Sequence, residues 1–495
     1  MPETTVPETT TATLAQTVAR FAVEHPFEQL PAEVVDSVRK RVLDILGICV
    51  AASSLPTSAG ARDWAGSQGG AAEAHAIGLD ERLPAQLAAF VNGTLAHSLD
   101  YDDTHLPSVL HPSASVVPAA LAAAEAYHRS GREVVAAIAC GLEVCVRIGM
   151  AGYDEVSGRN LYFEHGQHAT SICGTLGAVV SAGLLAGLDA DGLVHALGIA
   201  ASMGSGVIEA NRTGGTVKRL HCGWAAHAAL AAVGLVRHGF TGPPTVLEGR
   251  FGFFEAWLHG EACPDRVTEG LGVHWEVPGI FFKPYPANHF THTAIDAAAA
   301  LRRRGIDIDQ IARISLGVPE SVVRTIGDPI EVKRNPATGY MAQFSAPYAV
   351  AAGLLGGSGL GTGLDDYTDE LAADPRRRAI MAKVEVVADD ECTAIFPAQF
   401  PSVLRATMDD GTELVESVLA NRGGPANPLS YEELALKFAT NAGRLLPEAA
   451  VTAVSDLVGR LEELDSVTPL FKALAGLSTA NPPSSSPAHT RRPRA

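Results

Sequence analysis

The chain is poor in several things at once, and each shortage closes off a class of function. Of its 495 residues only 6% are aromatic and 19% charged, against 47% hydrophobic. Such a chain builds extensive buried cores and is long enough for two or three domains. Basic residues are outnumbered, 37 Lys and Arg against 55 Asp and Glu, for a formal net charge of −18. That sign argues against a nucleic-acid partner or an anionic membrane surface, so an anionic ligand needs a local cationic pocket. Cysteines are sparse, and Cys49, Cys140, Cys145, Cys173, Cys222, Cys263 and Cys392 form no CxxC pair. Their spacing offers neither a zinc site nor an iron–sulfur site, and their apolar settings point to reduced thiols in a cytoplasmic protein. No apolar run reaches the ~20 residues that span a bilayer; the one from Cys173 to Leu188 is shorter and carries glycines, which reads as a buried helix. Met1 to Ala12 lacks the basic and apolar regions of a secretory signal. Walker, GxGxxG, HExxH and GxSxG patterns are missing too, which leaves nucleotide binding, zinc proteolysis and serine hydrolysis without support.

What is present is helix. Ala- and Leu-rich segments separated by Gly, Pro or Asp breaks run at Pro31 to Ala52, Leu83 to Leu99, Ser113 to His128, Glu133 to Gly149, Gly174 to Leu188, Gly192 to Met203 and Gly223 to His238. Their many small residues allow close helix approach, and several are apolar nearly all round, as central helices are. Near Gly270 the texture turns strand-like, at Val273 to Phe282, Ile311 to Val318 and Ala382 to Ala388. Ser402 to Thr407 and Thr412 to Val418 flank Asp409-Asp410-Gly411, a hairpin signal. Helix returns behind the capping-box pattern Ser430-Tyr431-Glu432-Glu433 and again from Pro447 to Leu464. The stretch from Ser478 to Ala495 is rich in Pro and Ser and reads as disordered.

Chemistry concentrates in four places. His97-Ser98-Leu99-Asp100-Tyr101-Asp102-Asp103-Thr104-His105, followed by His111-Pro112-Ser113, crowds carboxylates, imidazoles and hydroxyls just past a helix. Caps in a solvated loop, a proton-sharing carboxylate–imidazole set and a metal site all fit this composition, though no ligand pair stands at helical spacing. His168, in Glu164-His165-Gly166-Gln167-His168-Ala169, stands at the start of the buried helix. There the dipole disfavours an imidazolium, so His168 is either a neutral proton acceptor or a core histidine bonded to backbone. Arg212, Lys218, Arg219 and His221, reached through Thr213-Gly214-Gly215-Thr216, suit a carboxylate clamp or a solvated helix face. Lys283, after Phe281-Phe282 and within Lys283-Pro284-Tyr285-Pro286-Ala287-Asn288-His289, is a base, a charge anchor or a plain strand-end lysine.

These segments, in this order, resemble the MmgE/PrpD family over roughly residues 15 to 465. The resemblance rests on Asn92-Gly93-Thr94 leading into the His97–Thr104 element, on His111-Pro112-Ser113, on His168-Ala169-Thr170-Ser171 with Gly174-Thr175-Leu176-Gly177, on Lys218-Arg219-Leu220-His221-Cys222-Gly223, on Lys283-Pro284-Tyr285-Pro286, and on Pro428-Leu429-Ser430 before Lys437-Phe438. It implies a mainly α protein with an α+β lid. The large all-α domain would take residues 13–267 and 406–470, the lid 268–405, and disordered ends 1–12 and 478–495. It further implies a homodimer and a site free of cofactor and metal. Carried over by motif, the acting residues are Asp100, Thr104, His111, His168 and Lys283, with Lys218, Arg212, His221 and Tyr285 binding substrate. The lid tyrosine of decarboxylase-type members has no counterpart in Val332-Lys333-Arg334-Asn335-Pro336, and Tyr340 matches it poorly. The Trp-containing first element of the dehydratase branch is missing as well.

The expected function is therefore a cofactor-independent lyase moving a proton at a carbon beside a carboxylate, on a small di- or tricarboxylate such as 2-methylcitrate or aconitate. Dehydration stands slightly ahead of decarboxylation because it needs only an acid and a base. The alternatives are an epimerase of an imino- or amino-dicarboxylate such as iminodisuccinate, and a non-catalytic dimeric carboxylate-binding protein.

Overall fold

The computed structural model describes residues 12–154 and 159–475. Both expected disordered ends, Ala12 apart, lie outside these residues. Two hydrophobic cores organise the chain. The larger is built by helices from Ala15 to Ile280 and is completed by Phe438 to Leu474 from the far end of the sequence. The smaller gathers residues from Tyr285 to Ala406, with Leu414 and Val418 packed against it. The fold is thus mainly α with a smaller α+β domain inserted, as expected.

Each long helix forms where the apolar runs stand, at Ala32–Ser53, Ala85–Ala96, Ser113–Ala126, Gly131–Met150, Ala169–Leu185, Ala190–Ala200 and Val217–Arg237. Capping boxes at Ser130/Glu133 and Ser430/Glu433 satisfy the first free N–H groups of their helices. No single described helix is long and apolar enough to cross a membrane. The central helices pack at glycines. A Cβ on Gly223 would strike Thr94 Oγ1 and the Phe90 carbonyl, and one on Gly93 would lie 2.9 Å from the Cys222 carbonyl. This close approach has a chemical consequence, because it brings the end of Ala85–Ala96, with His97, beside the start of Val217–Arg237, with Lys218 and His221.

The smaller domain carries one four-stranded sheet in the order Val384–Ala388, Ile311–Val318, Ser402–Met408, Glu413–Val418. Its first pair is parallel, with Ile314 opposite Val384, and the others are antiparallel, with Ser315 opposite Arg405 and Leu404 opposite Glu416. The hairpin closes at Asp409-Asp410-Gly411, where Gly411 has φ +86°. Helices His292–Arg303 and Ala346–Leu355 cover the sheet side.

Two expectations are corrected here. Val273 to Phe282 is not a strand; it runs as turns and a 3-10 turn, Val277–Gly279, to a single bridge between Phe281 and Thr104. Its backbone groups are taken by Arg41, Arg147 and Glu143 instead of by a sheet. Both lid boundaries also move toward the C-terminus. Residue 405 falls inside the strand Ser402–Met408, whose partner Glu413–Val418 belongs to the same sheet. At the other end the larger core extends to Ile280, beyond 267.

The Gly223–Gly93 crossing gives a first prediction. Gly223→Ala is expected to cost about 1–3 kcal/mol through overpacking and to cut turnover by separating His97 from His221. Thermal unfolding read alongside activity checks this, and a variant of wild-type Tm would contradict it.

Candidate active site

Asp100 is the anchor. It follows the end of Ala85–Ala96, with φ +52°, a left-handed backbone that Asp tolerates better than most residues. Lys283 Nζ donates to its carbonyl at 2.8 Å and lies 3.4 Å from Oδ1, while Lys218 Nζ is 3.7 Å from the same oxygen. The Lys283 side chain is 4% exposed and that of Lys218 32%. Burial alone would raise the Asp100 carboxyl, yet Lys283 and Lys218 hold it well below the usual carboxylate range. Asp100 in turn raises Lys218 above its ordinary value against burial, with Asp102 and Tyr340 adding to the effect. Tyr340, 65% exposed on the short Gly339–Ala342 helix, brings a phenol of the smaller domain toward Lys218.

Lys283 reaches Asp100 because Thr104 and Phe281 exchange backbone hydrogen bonds of 2.8 and 2.7 Å, two residues upstream of the lysine. Arg41 tightens the same joint. It pairs with Asp103 at 2.7 Å, donates to the carbonyls of Val277 and Ile280, and lies over the Phe282 ring. Asp103 also accepts from the Ser113 backbone and hydroxyl. Lys437, from the returning C-terminal helix, pairs with Asp44 at 2.6 Å, donates to the Tyr101 carbonyl and sits 3.8 Å above the Tyr101 ring.

The imidazoles form a chain beside this anchor. His111 Nδ1 lies 2.6 Å from the Asp103 carbonyl and must carry its proton there, which leaves Nε2 with a free lone pair. Thr104 Oγ1 is 3.4 Å from the same nitrogen. His168 is the N-cap residue of Ala169–Leu185, and its Nδ1 is 2.8 Å from His221 Nδ1, so the two rings share one proton. Burial, with the positive charge of neighbours, pushes His111 and His221 down to about 4 and His168 well below its ordinary value. The structure thus brings Asp100, Thr104, His111, His168, Lys218, His221 and Lys283 into one cluster where the two cores meet.

Other residues go elsewhere. Tyr285, expected to bind substrate, is packed in the smaller core, where its hydroxyl is taken by Asp296 and Arg422. Arg212 stands on the four-residue helix Ala210–Thr213, and its side chain lies outside the described residues. His105 is taken by Ser108 at 2.7 Å and faces Glu276 at 3.5 Å, a loop-holding role. Three residues of the cluster were quoted in the motifs but given no task. His97 and Asp102 are paired at 2.7 Å, in the middle of the imidazoles. His289 has both ring nitrogens buried without a hydrogen-bond partner, between Phe281 and Phe400, with Lys283 and His111 among the groups whose charge it feels. Their signal in the sequence was only their place in a dense motif, since nothing in the spacing shows which histidine faces inward. Among the described residues no group of His, Cys, Asp or Glu is arranged to hold a metal ion.

A helical domain interrupted by a smaller α+β domain, with neutral imidazoles and two lysines gathered on a half-buried carboxylate at the junction, defines an acid–base enzyme. The chain belongs to the MmgE/PrpD family, whose N-terminal domain matches residues 16–264 and whose C-terminal domain matches residues 285–463. Among its relatives, the human cis-aconitate decarboxylase is 32% identical over 424 residues, covering 83% of each chain. That of Aspergillus terreus is 26% identical over 472 residues, covering 92% of this chain and 95% of its own. A 2-methylcitrate dehydratase of Cupriavidus necator is 31% identical over 249 residues, 46% of this chain and 49% of its own.

The lowered histidines set a pH dependence of stability. Their ordinary value is 6.5 and that of folded His111 and His221 is about 4, so between these limits the unfolded chain binds more protons than the folded one. The contribution of these two rings is therefore intact above 6.5 and declines as pH falls toward 4. Urea midpoints measured at pH 7.5, 6 and 5 should fall in that order, and a flat series would show that these rings are not neutral in the native protein.

Proposed function

We propose that this protein is a lyase that removes CO₂ from a small unsaturated tricarboxylate of the cis-aconitate kind, by acid–base chemistry from its own side chains. The observation that carries this reading is the pairing of neutral His168 and His111 with Lys218 and Lys283 around one carboxylate. The two ammonium groups suit substrate carboxylates and offset charge that develops on them. An imidazole that has taken up a proton from solvent as the substrate's carboxylates bind delivers it to one alkene carbon. The electrons of the C–C bond to a neighbouring carboxyl group then form the new double bond as CO₂ leaves. Thr104 Oγ is placed to bond a carboxylate, and Asp100 keeps both lysines in position.

Decarboxylation is favoured over dehydration because the decarboxylase relatives align over most of both chains, whereas the dehydratases align over less than half of this one. The same cluster serves dehydration if a hydroxyl departs instead of CO₂. The homodimer and the cytoplasmic setting belong to this reading. Exposed Trp64 and Trp224 on the helical domain support self-contact, and six of the seven unpaired cysteines are buried, as suits a reducing compartment.

Incubation with cis-aconitate, citrate, 2-methylcitrate and iminodisuccinate, followed by mass spectrometry, tests the reaction. Loss of CO₂ from cis-aconitate is expected. Loss of water would make the protein a dehydratase, and unchanged mass with deuterium taken up at carbon would make it an isomerase. His168→Ala and Lys218→Ala should each lower kcat by about 10²-fold or more with little change in Tm, and near-wild-type turnover in either would remove that residue from the mechanism.

A further inference from the structure

His97 and Asp102 have no part in the proton transfers assigned above, yet they sit among the residues that do. Their side chains have no exposed surface and meet at 2.7 Å through His97 Nδ1 and Asp102 Oδ2. The His97 ring centre lies 5.3 Å from that of His111 and 5.6 Å from that of His168. Among the described residues, His97 Nε2 and Asp102 Oδ1 are buried without a hydrogen-bond partner of proper geometry. The Cys222 thiol beside the ring is a weak one. A buried ionic pair with unsatisfied atoms is a poor way to hold helices together, since apolar side chains of similar volume do that at least as well. Its place among the imidazoles points to a role in the chemistry.

We propose that His97, held protonated by Asp102, is a positioning residue whose fixed positive charge weakens the hold of His168 on a proton, so that a proton taken up with the substrate passes readily to carbon. The inference rests on the reading of His168 as a proton carrier. Burial opposes a charge on His97, but Asp102 carries it well above the ordinary imidazole range. The anions facing His97 are Asp102 and Asp100, both from the loop that follows its helix. On its other sides stand His111, His168 and His221, and each of them is lowered by its charge after burial has acted. Lys283 and Lys218 act on the same group from behind Asp100 and Asp102. The Asp102 carboxylate thus fixes a proton on one ring so that the next ring holds its own less tightly.

The test uses His97→Gln, which removes the charge while keeping a donor for Asp102, and Asp102→Asn as a second route. With cis-aconitate as the probe, kcat is expected to fall about tenfold or more with KM changed less than about threefold. The basic limb of the kcat profile should move up by about one pH unit, because His168 then holds its proton to higher pH. A folded His97→Gln protein with an unmoved basic limb overturns the proposal. Nitrogen NMR of histidine rings in the wild-type protein at pH 8 provides a readout free of activity. One ring is expected to stay cationic there and to lose that signature in Asp102→Asn; if every ring is neutral, the proposal fails even where the variants do not fold. If His168→Ala keeps its turnover, the reading of the site falls separately, while the ring signature still decides the charge on His97.

Discussion

A buried ammonium needs an anion, and Lys283, almost wholly enclosed, has Asp100. Much of the molecule is arranged around that requirement. Asp100 belongs to the end of a helix in the larger domain, and Lys283 to the segment that leaves for the smaller one. Their contact therefore draws the link between domains onto the loop that follows that helix. The left-handed turn at Asp100 serves the same end, since it presents backbone carbonyl and carboxylate to one ammonium together. A flexible link would let the lid choose its own position, whereas here the lysine, the Thr104–Phe281 ladder and Arg41 hold three successive points of it.

Around this anchor lie further ion pairs from which water is excluded: Arg41–Asp103, Asp44–Lys437 and Glu143–Arg147. Each ties a long helix to the loop or the link through directional contacts. Arg41 and Asp44 lie on the same face of Ala32–Ser53, one turn apart, and address opposite ends of the Tyr101–Asp103 segment. The helix Tyr431–Ala442 reaches the Tyr101–Asp103 segment through Lys437 while Phe438 and Ala442 pack into the larger core. Removing either partner would strand a charge, at a cost of about 3–5 kcal/mol. Replacing these pairs by apolar residues would keep the packing but lose the hydrogen bonds that aim Tyr101 and Asp103.

Much of this was legible in the chain. Apolar runs marked the central helices to within a few residues. His168 was readable at a helix start because the run of small and apolar residues begins directly after it. Lys218 and Lys283 stood out as charge in apolar surroundings, and Asp100 and His111 as members of a dense polar motif. Tyr285 did not declare itself. Its neighbour in sequence faces the cluster, but Pro284 and Pro286 redirect the backbone, and the phenol enters the smaller core beside Asp296. The run from Val273 to Phe282 has strand composition, yet its hydrogen bonds come from side chains of distant helices, which no local pattern reveals. His97 and Asp102 were visible as letters, but their pairing depends on the chain reversing after a helix end.

The electrostatics of the cluster explain how one set of residues can both take and give a proton. Around His168 the cations are Lys218, Lys283 and His97, and Asp100 and Asp102 balance only part of their charge. Burial and this field together strip the neighbouring imidazoles of their second proton. A bound polycarboxylate reverses the field at the same rings, because its negative charges lie within a few ångströms in a medium that screens poorly. His168 is then a better base when the substrate is present than when the cleft is vacant. Proton uptake is coupled to occupancy by Coulomb's law alone, and the proton is available for carbon only while carboxylates are there to hold it.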